Sequence, residues 1–328
     1  MDILRYGKKV LRQILPPCIW CILRYFNSLL NKTKHDTHIK VIRSIVELDQ
    51  EIKKADEAAL VSFDLLIEVN SQYKFEFDNE IELPHDTNSC EYKKIQHDVY
   101  LQISGRESYD AQANEHTPFD VELMRKKPFP YYTCSSKKVG EQLIAQGFLI
   151  KSMNLPANSK ILEFGPGWGN TTLHFSQMGY SVTAVEISRD FCDLIQYRSS
   201  QIHTEINIVN TNMLEYQSNQ KFDAVVFFEC FHHCSDHVKM IEKLDSLVAE
   251  NGIAVFAAEP IIDDFPQPWG IRLDGMSVWS IRKFGWLELG FNTKYFKEIM
   301  SKSGWEVETH LSVDCPWCRV FIARRKSR

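Results

Sequence analysis

"KILEFGPGWGNTTLHF", residues 160–175, runs as a buried strand into three closely spaced glycines and resumes as a helix. Glycines at a strand-to-helix turn let the backbone approach a ligand at a helix N-terminus, and that ligand is commonly a nucleotide. The dinucleotide fingerprint is G-x-G-x-x-G, whose third glycine allows close packing of helix on strand. Here the glycines are Gly165, Gly167 and Gly169, and Asn170 stands where that fingerprint needs its last glycine. Pro166 removes a backbone N–H from the turn, and Glu163 places a carboxylate just before it. Both features work against a dianionic pyrophosphate and suit a nucleotide with a positive end. A dehydrogenase is therefore the least favoured reading, because it requires NAD to bind this loop.

Outward from the turn, strands are expected near 160–164, 181–186, 205–209, 222–228 and 252–258, with helices near 169–178, 189–200 and 235–250. Alternating strand and helix with apolar strands is the pattern of a parallel, doubly wound α/β sheet. A helix near 293–303 and two closing strands, "WEVETHLSV" and "WCRVFIARR", add an antiparallel C-terminal hairpin. Glu186 ends the second strand, about twenty residues beyond the turn, where nucleotide folds place a carboxylate for the ribose hydroxyls.

"LEFGPGWGNTT", "VTAVEIS", "NTNMLEY" and "FDAVVFFECFHHCSD" together resemble the class I S-adenosylmethionine-dependent methyltransferases, over about residues 137–325. The resemblance implies a Rossmann-like sheet and S-adenosyl-L-methionine as cofactor, a sulfonium nucleotide with an ammonium and no phosphate. It also implies that Gly165, Gly167 and Gly169 surround the methionyl part, Glu186 holds the ribose, and Asn212 and Met213 border the adenine. That family often has Asp at position 212; an amide oxygen can still accept from an adenine amino group. Tyr131, Tyr132 and Trp168 are aromatic candidates to close over a sulfonium.

Methyl transfer to a hydroxyl needs a proton acceptor beside the sulfonium. Open parallel sheets place ligands at the C-terminal ends of their strands, and "FFECFHHCSDH" follows the fourth strand there. Glu229, His232 and His233 are the candidate bases, and His237 reads as a helix-surface residue. The stretch after the fifth strand, about 259–292, is rich in Trp, Asp and Arg and reads as an acceptor-binding insertion. Trp269, Trp279 and Trp286 are its candidate stacking surfaces, and Arg272, Asp274 and Arg282 its candidate polar anchors. Such a wall suits a sugar. Asp263 and Asp264 are adjacent carboxylates of the kind Mg²⁺ takes, a pair also common in loops, and no metal site is assigned.

The N-terminal part reads differently. Residues 1–35 form a basic, apolar arm in which Arg5, Lys8, Lys9, Arg12 and Arg24 alternate with aliphatic and aromatic side chains, a composition that can lie in a membrane interface. Residues 36–130 read as a mainly helical accessory region with a helix near 39–60, strand pieces at 63–69 and 73–83, and a connecting loop at 124–136. The methyltransferase domain takes 131–328. The arm, "SYDAQANEHTPFD" and "WGIRLDG" resemble bacterial methyltransferases encoded with surface-polysaccharide assembly. This second resemblance implies a glycan or sugar-containing acceptor, with residues 3–30 meeting a membrane surface or a membrane-bound assembly; a homo-oligomer stays open.

Composition sets the outer bounds. The formal net charge of −5 argues against a general nucleic-acid binder, which needs a basic face. Nine cysteines are an odd number scattered along the chain, which points to a reducing, cytoplasmic compartment, peripheral to the inner membrane face if the arm engages it. The pairs Cys18–Cys21 and Cys315–Cys318 have zinc-like spacing but lie in an apolar run and beside a strand, so they read as structural. A lipid or quinone methyltransferase, and a non-catalytic S-adenosylmethionine-binding module, remain as competing readings.

Overall fold

The computed structural model describes residues 39–77, 82–127 and 135–326. The readings for the arm at 1–35, Cys18–Cys21, Tyr131 and Tyr132 lie outside these residues. Among the described residues no helix is long and apolar enough to cross a membrane.

A seven-stranded sheet organises the chain. The described strands are β1 (Lys40–Ile42), β2 (Tyr73–Phe75), β3 (Lys160–Phe164), β4 (Ser181–Glu186), β5 (Asn207–Asn210), β6 (Phe222–Phe228), β7 (Val248–Ala257), β8 (Ile261–Ile262), β9 (Trp269–Ile271), β10 (Leu289–Asn292), β11 (Trp305–Leu311) and β12 (Arg319–Arg325), and the sheet is built from β3 to β7, β11 and β12. They lie in the order β11-β12-β7-β6-β3-β4-β5, parallel except that β12 is antiparallel to both neighbours. This is the doubly wound sheet with a reversed hairpin that the sequence predicts. Order reverses between β3 and β6, which is where open α/β sheets form a ligand crevice.

Period-two alternation divides the strand residues between two cores. Leu162, Phe164, Val225, Phe227, Ala254 and Phe256 face one core. Ile161, Ala224, Val226, Val255 and Ile322 face the other, under the helix Ser136–Met153. On the first face Phe164, Phe227 and Phe256 stack across three adjacent strands, at 5.2 and 5.0 Å between centroids. Such offset aromatic pairs add ~0.5–1.5 kcal/mol each beyond area burial.

The accessory region and the insertion after β7 fold together on that same face. Ile42, Leu48, Tyr73, Tyr92 and Tyr100 share a core with Trp269, Ile271, Val278 and Trp279. Hydrogen bonds tie the two segments: Tyr92 donates to the Trp269 carbonyl at 2.6 Å, Tyr100 to that of Gly285 at 2.7 Å, and Trp279 Nε1 to Asp56 at 2.9 Å. Gly275 must be glycine for this docking, since a Cβ there would lie 2.1 Å from the Asn70 carbonyl oxygen.

Four local expectations change. The strand piece at 63–69 is the helix Phe63–Asn70, started by Ser62, whose side chain accepts from the Leu65 N–H. The helix expected from 39 begins only at Ile45, after a short strand, Lys40–Ile42, that pairs with Tyr73–Phe75. The loop expected at 124–136 is helical at its start, in Val121–Lys126, and its last residue begins the helix Ser136–Met153. The helix expected at 235–250 ends at Leu247, and β7 follows directly.

Candidate active site

The C-terminal ends of β3, β4, β5 and β6 open onto a cavity of about 1090 Å³. One end is the glycine turn. Gly165, Gly167 and Gly169 have φ of 57°, 52° and 74°, in the left-handed region that favours glycine. Their surroundings differ. A Cβ on Gly165 would sit 2.6 Å from the Cys230 Cβ, and one on Gly169 would sit 2.6 Å from Ile195 Cγ1. A Cβ on Gly167 would meet nothing within 4 Å, so there the bare backbone borders open space that a ligand can enter.

Glu186, buried at the end of β4, accepts the Gly167 N–H at 3.0 Å on one oxygen and the Ser188 N–H at 2.8 Å on the other. Burial raises its pKa, and those N–H donors oppose the rise. Each carboxylate oxygen keeps a second lone pair for a ribose hydroxyl. Asn212, Met213 and Trp168 line the same cavity. Trp168 packs edge-on to Phe119 and Phe191, which brings the accessory region against the glycine turn.

Glu163 and Gly169 are placed differently from expectation, since neither lines the cavity. Glu163 is 1% exposed, and its two oxygens accept from the Thr171 and Thr172 hydroxyls on the helix Asn170–Gln177. Burial pushes its carboxyl up to about 7 despite those two hydrogen bonds. Its position makes it a support for the turn rather than a partner of the ligand. Gly169 is the N-cap of that helix and fits against Ile195.

The same cavity is also lined by the histidines, in a short 3₁₀ turn Phe231–His233 after β6 whose neighbour Cys230 lies against Gly165. Glu229, just before it, has φ of 52°, and Ala258 after β7 has 56°. Two non-glycine residues in the left-handed region on adjacent strand ends are backbone strain held at the site edge. Glu259 follows Ala258 and is buried beneath the turn, where it accepts the backbone N–H groups of Cys230, Phe231 and His232 at 2.8 to 3.2 Å. The same carboxylate lies 2.7 Å from His232 Nδ1. Burial alone would raise the Glu259 pKa, and His232 with those N–H groups holds it below the ordinary value. A carboxylate on Nδ1 fixes the tautomer that donates from Nδ1 and leaves the Nε2 lone pair available.

His232 Nε2 lies 3.8 Å from Glu288, whose carboxylate is 3.4 Å from Arg272 Nη1. His233 lies 4.2 Å from His232 between ring centroids, and its Nδ1 is 3.1 Å from Glu115 of the accessory region. Burial pulls the His233 imidazole down, but Glu115, Glu288 and Glu259 together lift it to about 9. The neighbouring carboxylates thus favour the protonated form of His233, while Glu259 occupies His232 Nδ1 and leaves Nε2 of that ring. Glu229 also lines the cavity, with burial and then Glu259 raising its carboxyl to about 7. Among the described residues, one ligand atom each from His232, His233 and Glu288 lie within 4.8 Å of one another.

The insertion contributes unevenly. Arg272, Trp279 and Trp286 line the cavity. Trp269 does not: it is buried in the core against Tyr92 and His237, and its Nε1 donates to the Thr87 carbonyl. Asp274 caps the helix Gly275–Phe284 through Ser277 and pairs with Arg272, while Arg282 pairs with Asp49. Arg282 thus holds the insertion on the accessory region, Asp274 acts within the insertion, and neither lines the cavity. His237 is 2% exposed rather than on the surface, its Nε2 is 2.8 Å from the Tyr295 hydroxyl, and burial lowers it to about 3. Asp263 is paired with Arg319 at 3.8 Å. Sequence reasoning passed over Glu115, Glu259 and Glu288. Glu259 alone carried a signal, as the acid directly after the fifth strand.

A doubly wound sheet with a reversed hairpin, a glycine turn after its first strand and an acid ending its second defines the Rossmann-like methyltransferase class. The methyltransferase-domain family model matches residues 141–310, and the chain belongs to that family. Its cofactor is S-adenosyl-L-methionine, and the bare backbone at Gly167 beside the Glu186 carboxylate fits that group. Among curated relatives, an uncharacterized methyltransferase of Bacillus mycoides is 30% identical over 99 residues, 30% of this chain and 45% of that one. The ribosomal RNA small subunit methyltransferase A of Wigglesworthia glossinidia brevipalpis is 27% identical over 92 residues, 27% of this chain and 35% of its own. The chain thus spans less than half the length of these relatives. Among solved structures, an Aquifex aeolicus SAM-dependent methyltransferase superposes with a TM-score of 0.44 at 14% identity, covering 63% of this chain and 98% of the other. Burkholderia thailandensis 1,6-didemethyltoxoflavin-N1-methyltransferase, solved with S-adenosylhomocysteine, gives 0.43 at 14% identity, covering 65% and 93%.

Proposed function

We propose that the protein transfers a methyl group to a hydroxyl of a sugar-containing acceptor, with His232 as general base. The observation that carries this reading is the His232–Glu259 pair, which engages Nδ1 and leaves Nε2 in a cavity also lined by the glycine turn. S-adenosylmethionine supplies the methyl group when bound. The acceptor O–H gives its proton to His232 Nε2, and the imidazolium is stabilised by Glu259 across 2.7 Å. The acceptor oxygen, relieved of its proton, would then be free to take the methyl group the cofactor supplies. General base assistance of this kind contributes ~10²–10⁴-fold, the remainder coming from holding the two reactants together away from water.

A sugar is favoured by the combination at the acceptor end. Trp279, Phe284 and Trp286 offer rings for C–H faces, and Glu115, Glu288 and Arg272 offer partners for hydroxyls. The basic apolar residues 3–30 favour an acceptor presented at a membrane surface. The test is an acceptor screen with isotopically labelled methyl donor over nucleotide sugars, lipid-linked glycans and oligosaccharides, alongside lipids and quinones. Labelled glycan formed by wild type and lost in His232→Gln, with cofactor binding retained, is the expected result. Labelling of lipids or quinones alone contradicts the sugar assignment, and binding without turnover on any acceptor contradicts catalysis.

A further inference from the structure

We infer that the acceptor end of the cavity is also a divalent transition-metal site, formed by His232, His233 and Glu288. One ligand atom from each residue already lies within 4.8 Å of the others. Two imidazoles and one carboxylate are a ligand set that zinc takes, with a further position left for water or an acceptor oxygen. Zinc–ligand bonds of ~2.0–2.2 Å put neighbouring tetrahedral ligand atoms ~3.4 Å apart, so ligation needs the three to close by an ångström or so. Side-chain rotation supplies movements of that size.

The outer partners are what distinguish this cluster from a chance meeting of polar side chains. Metal-binding imidazoles characteristically engage a carboxylate through their other nitrogen, which orients the ring and raises its basicity. Here His232 has one in Glu259, at 2.7 Å from Nδ1, and Glu115 lies at ion-pair distance, 3.1 Å, from His233 Nδ1. The Glu288 carboxylate is held in turn by Arg272, at 3.4 Å. His232 and Glu288 therefore each have an outer group that orients them and His233 an ion-pair partner; the neighbouring carboxylates favour protonated His233, so zinc binding displaces that proton from the ring. The three also come from segments that the fold brings together, the turn after β6 and the insertion ahead of β10 (Leu289–Asn292).

The consequence for the proposed reaction rests on that reading. An ion on His232 Nε2 occupies the lone pair that the general base needs, so the zinc-bound site cannot deprotonate an acceptor through this ring. Binding of the ion itself is independent of what the enzyme methylates.

The experiment is calorimetric titration of the chelator-treated full-length protein with Zn²⁺, without cofactor or acceptor, followed by Co²⁺ substitution read by visible absorption. Wild type is expected to bind one zinc with micromolar or tighter affinity. His233→Ala and Glu288→Gln should each weaken it by at least tenfold, and Glu115→Gln by about tenfold as an outer partner. S-adenosylhomocysteine titration of every variant shows that the fold is retained, and its failure in wild type would sink the methyltransferase site while leaving the zinc result standing. Absence of zinc binding in wild type overturns the inference. So does zinc binding that survives His233→Ala and Glu288→Gln, or that disappears in Cys315→Ser/Cys318→Ser.

Discussion

Replacing Gly167 and Gly165 by alanine, one at a time, separates the ligand-facing part of the turn from the part that only holds the fold. Both residues have positive φ, 52° and 57°, so each alanine carries the same left-handed backbone penalty of ~1–2 kcal/mol. Their added methyl groups do not meet the same surroundings. At Gly165 the Cβ would lie 2.6 Å from the Cys230 Cβ and 3.1 Å from its Sγ. That sulfur donates to the Phe164 carbonyl at 2.9 Å, so it cannot turn aside without losing the bond. Overpacking of this kind costs a further ~1–3 kcal/mol. At Gly167 no atom lies within 4 Å of the new methyl, so the protein loses only the backbone term. The methyl instead occupies space where the cofactor must approach the backbone, and the same ~1–3 kcal/mol falls on binding, about 5- to 150-fold in affinity. Thermal denaturation and calorimetric titration with S-adenosylhomocysteine measure the two effects. Gly167→Ala should keep most of its melting temperature and lose cofactor affinity, while Gly165→Ala should lose several degrees more. Wild-type affinity in Gly167→Ala, or equal loss of stability in both, would refute this account of the turn.

Further outcomes follow from the other contacts. Glu186→Ala removes the acceptor of the Gly167 and Ser188 N–H groups and should weaken S-adenosylhomocysteine by ~1–3 kcal/mol in calorimetry; unchanged affinity would remove Glu186 from the site. Glu259→Gln keeps the size of the group that orients His232 and should lower turnover by about 10²-fold or more with cofactor binding retained; wild-type turnover would exclude the pair from catalysis. Glu163 rises from 4.5 to about 7 on folding, mainly through burial. Stability associated with it is therefore fully present below the unfolded value and is lost as pH rises through 7. Denaturant titrations should show wild type losing up to ~3 kcal/mol relative to Glu163→Gln between pH 4 and pH 8; a constant difference would show that the buried carboxyl is not titrating in that window.

Elements whose pattern is set by near neighbours were legible in the sequence. The strands at 160–164, 181–186 and 222–228 agree with the structure residue for residue, because an apolar run bounded by turn residues has few other ways to be buried. Gly167, Glu186, Asn212, Met213, His232, His233, Arg272 and Trp279 all reach one cavity, because topology delivers strand ends to the same edge. The helix Phe63–Asn70 was missed because "FDLLIEVN" is as apolar as a buried strand, and the Ser62 cap decides between them. Trp269 and Trp279 looked alike in sequence. Their roles separate only in three dimensions, where Trp269 packs under Tyr92 and Trp279 lies at the cavity wall. Glu115 could not be read at all: its pairing with His233 exists only once the accessory region is docked, and no local spacing encodes that contact.

The most direct test of the central claim is parallel calorimetric titration of the purified protein with S-adenosylmethionine, S-adenosylhomocysteine and NAD. About micromolar binding of the two adenosyl-sulfur ligands, with no heat from NAD, is the expected result. Binding of NAD without either of the others would contradict the reading of the glycine turn and everything built on it.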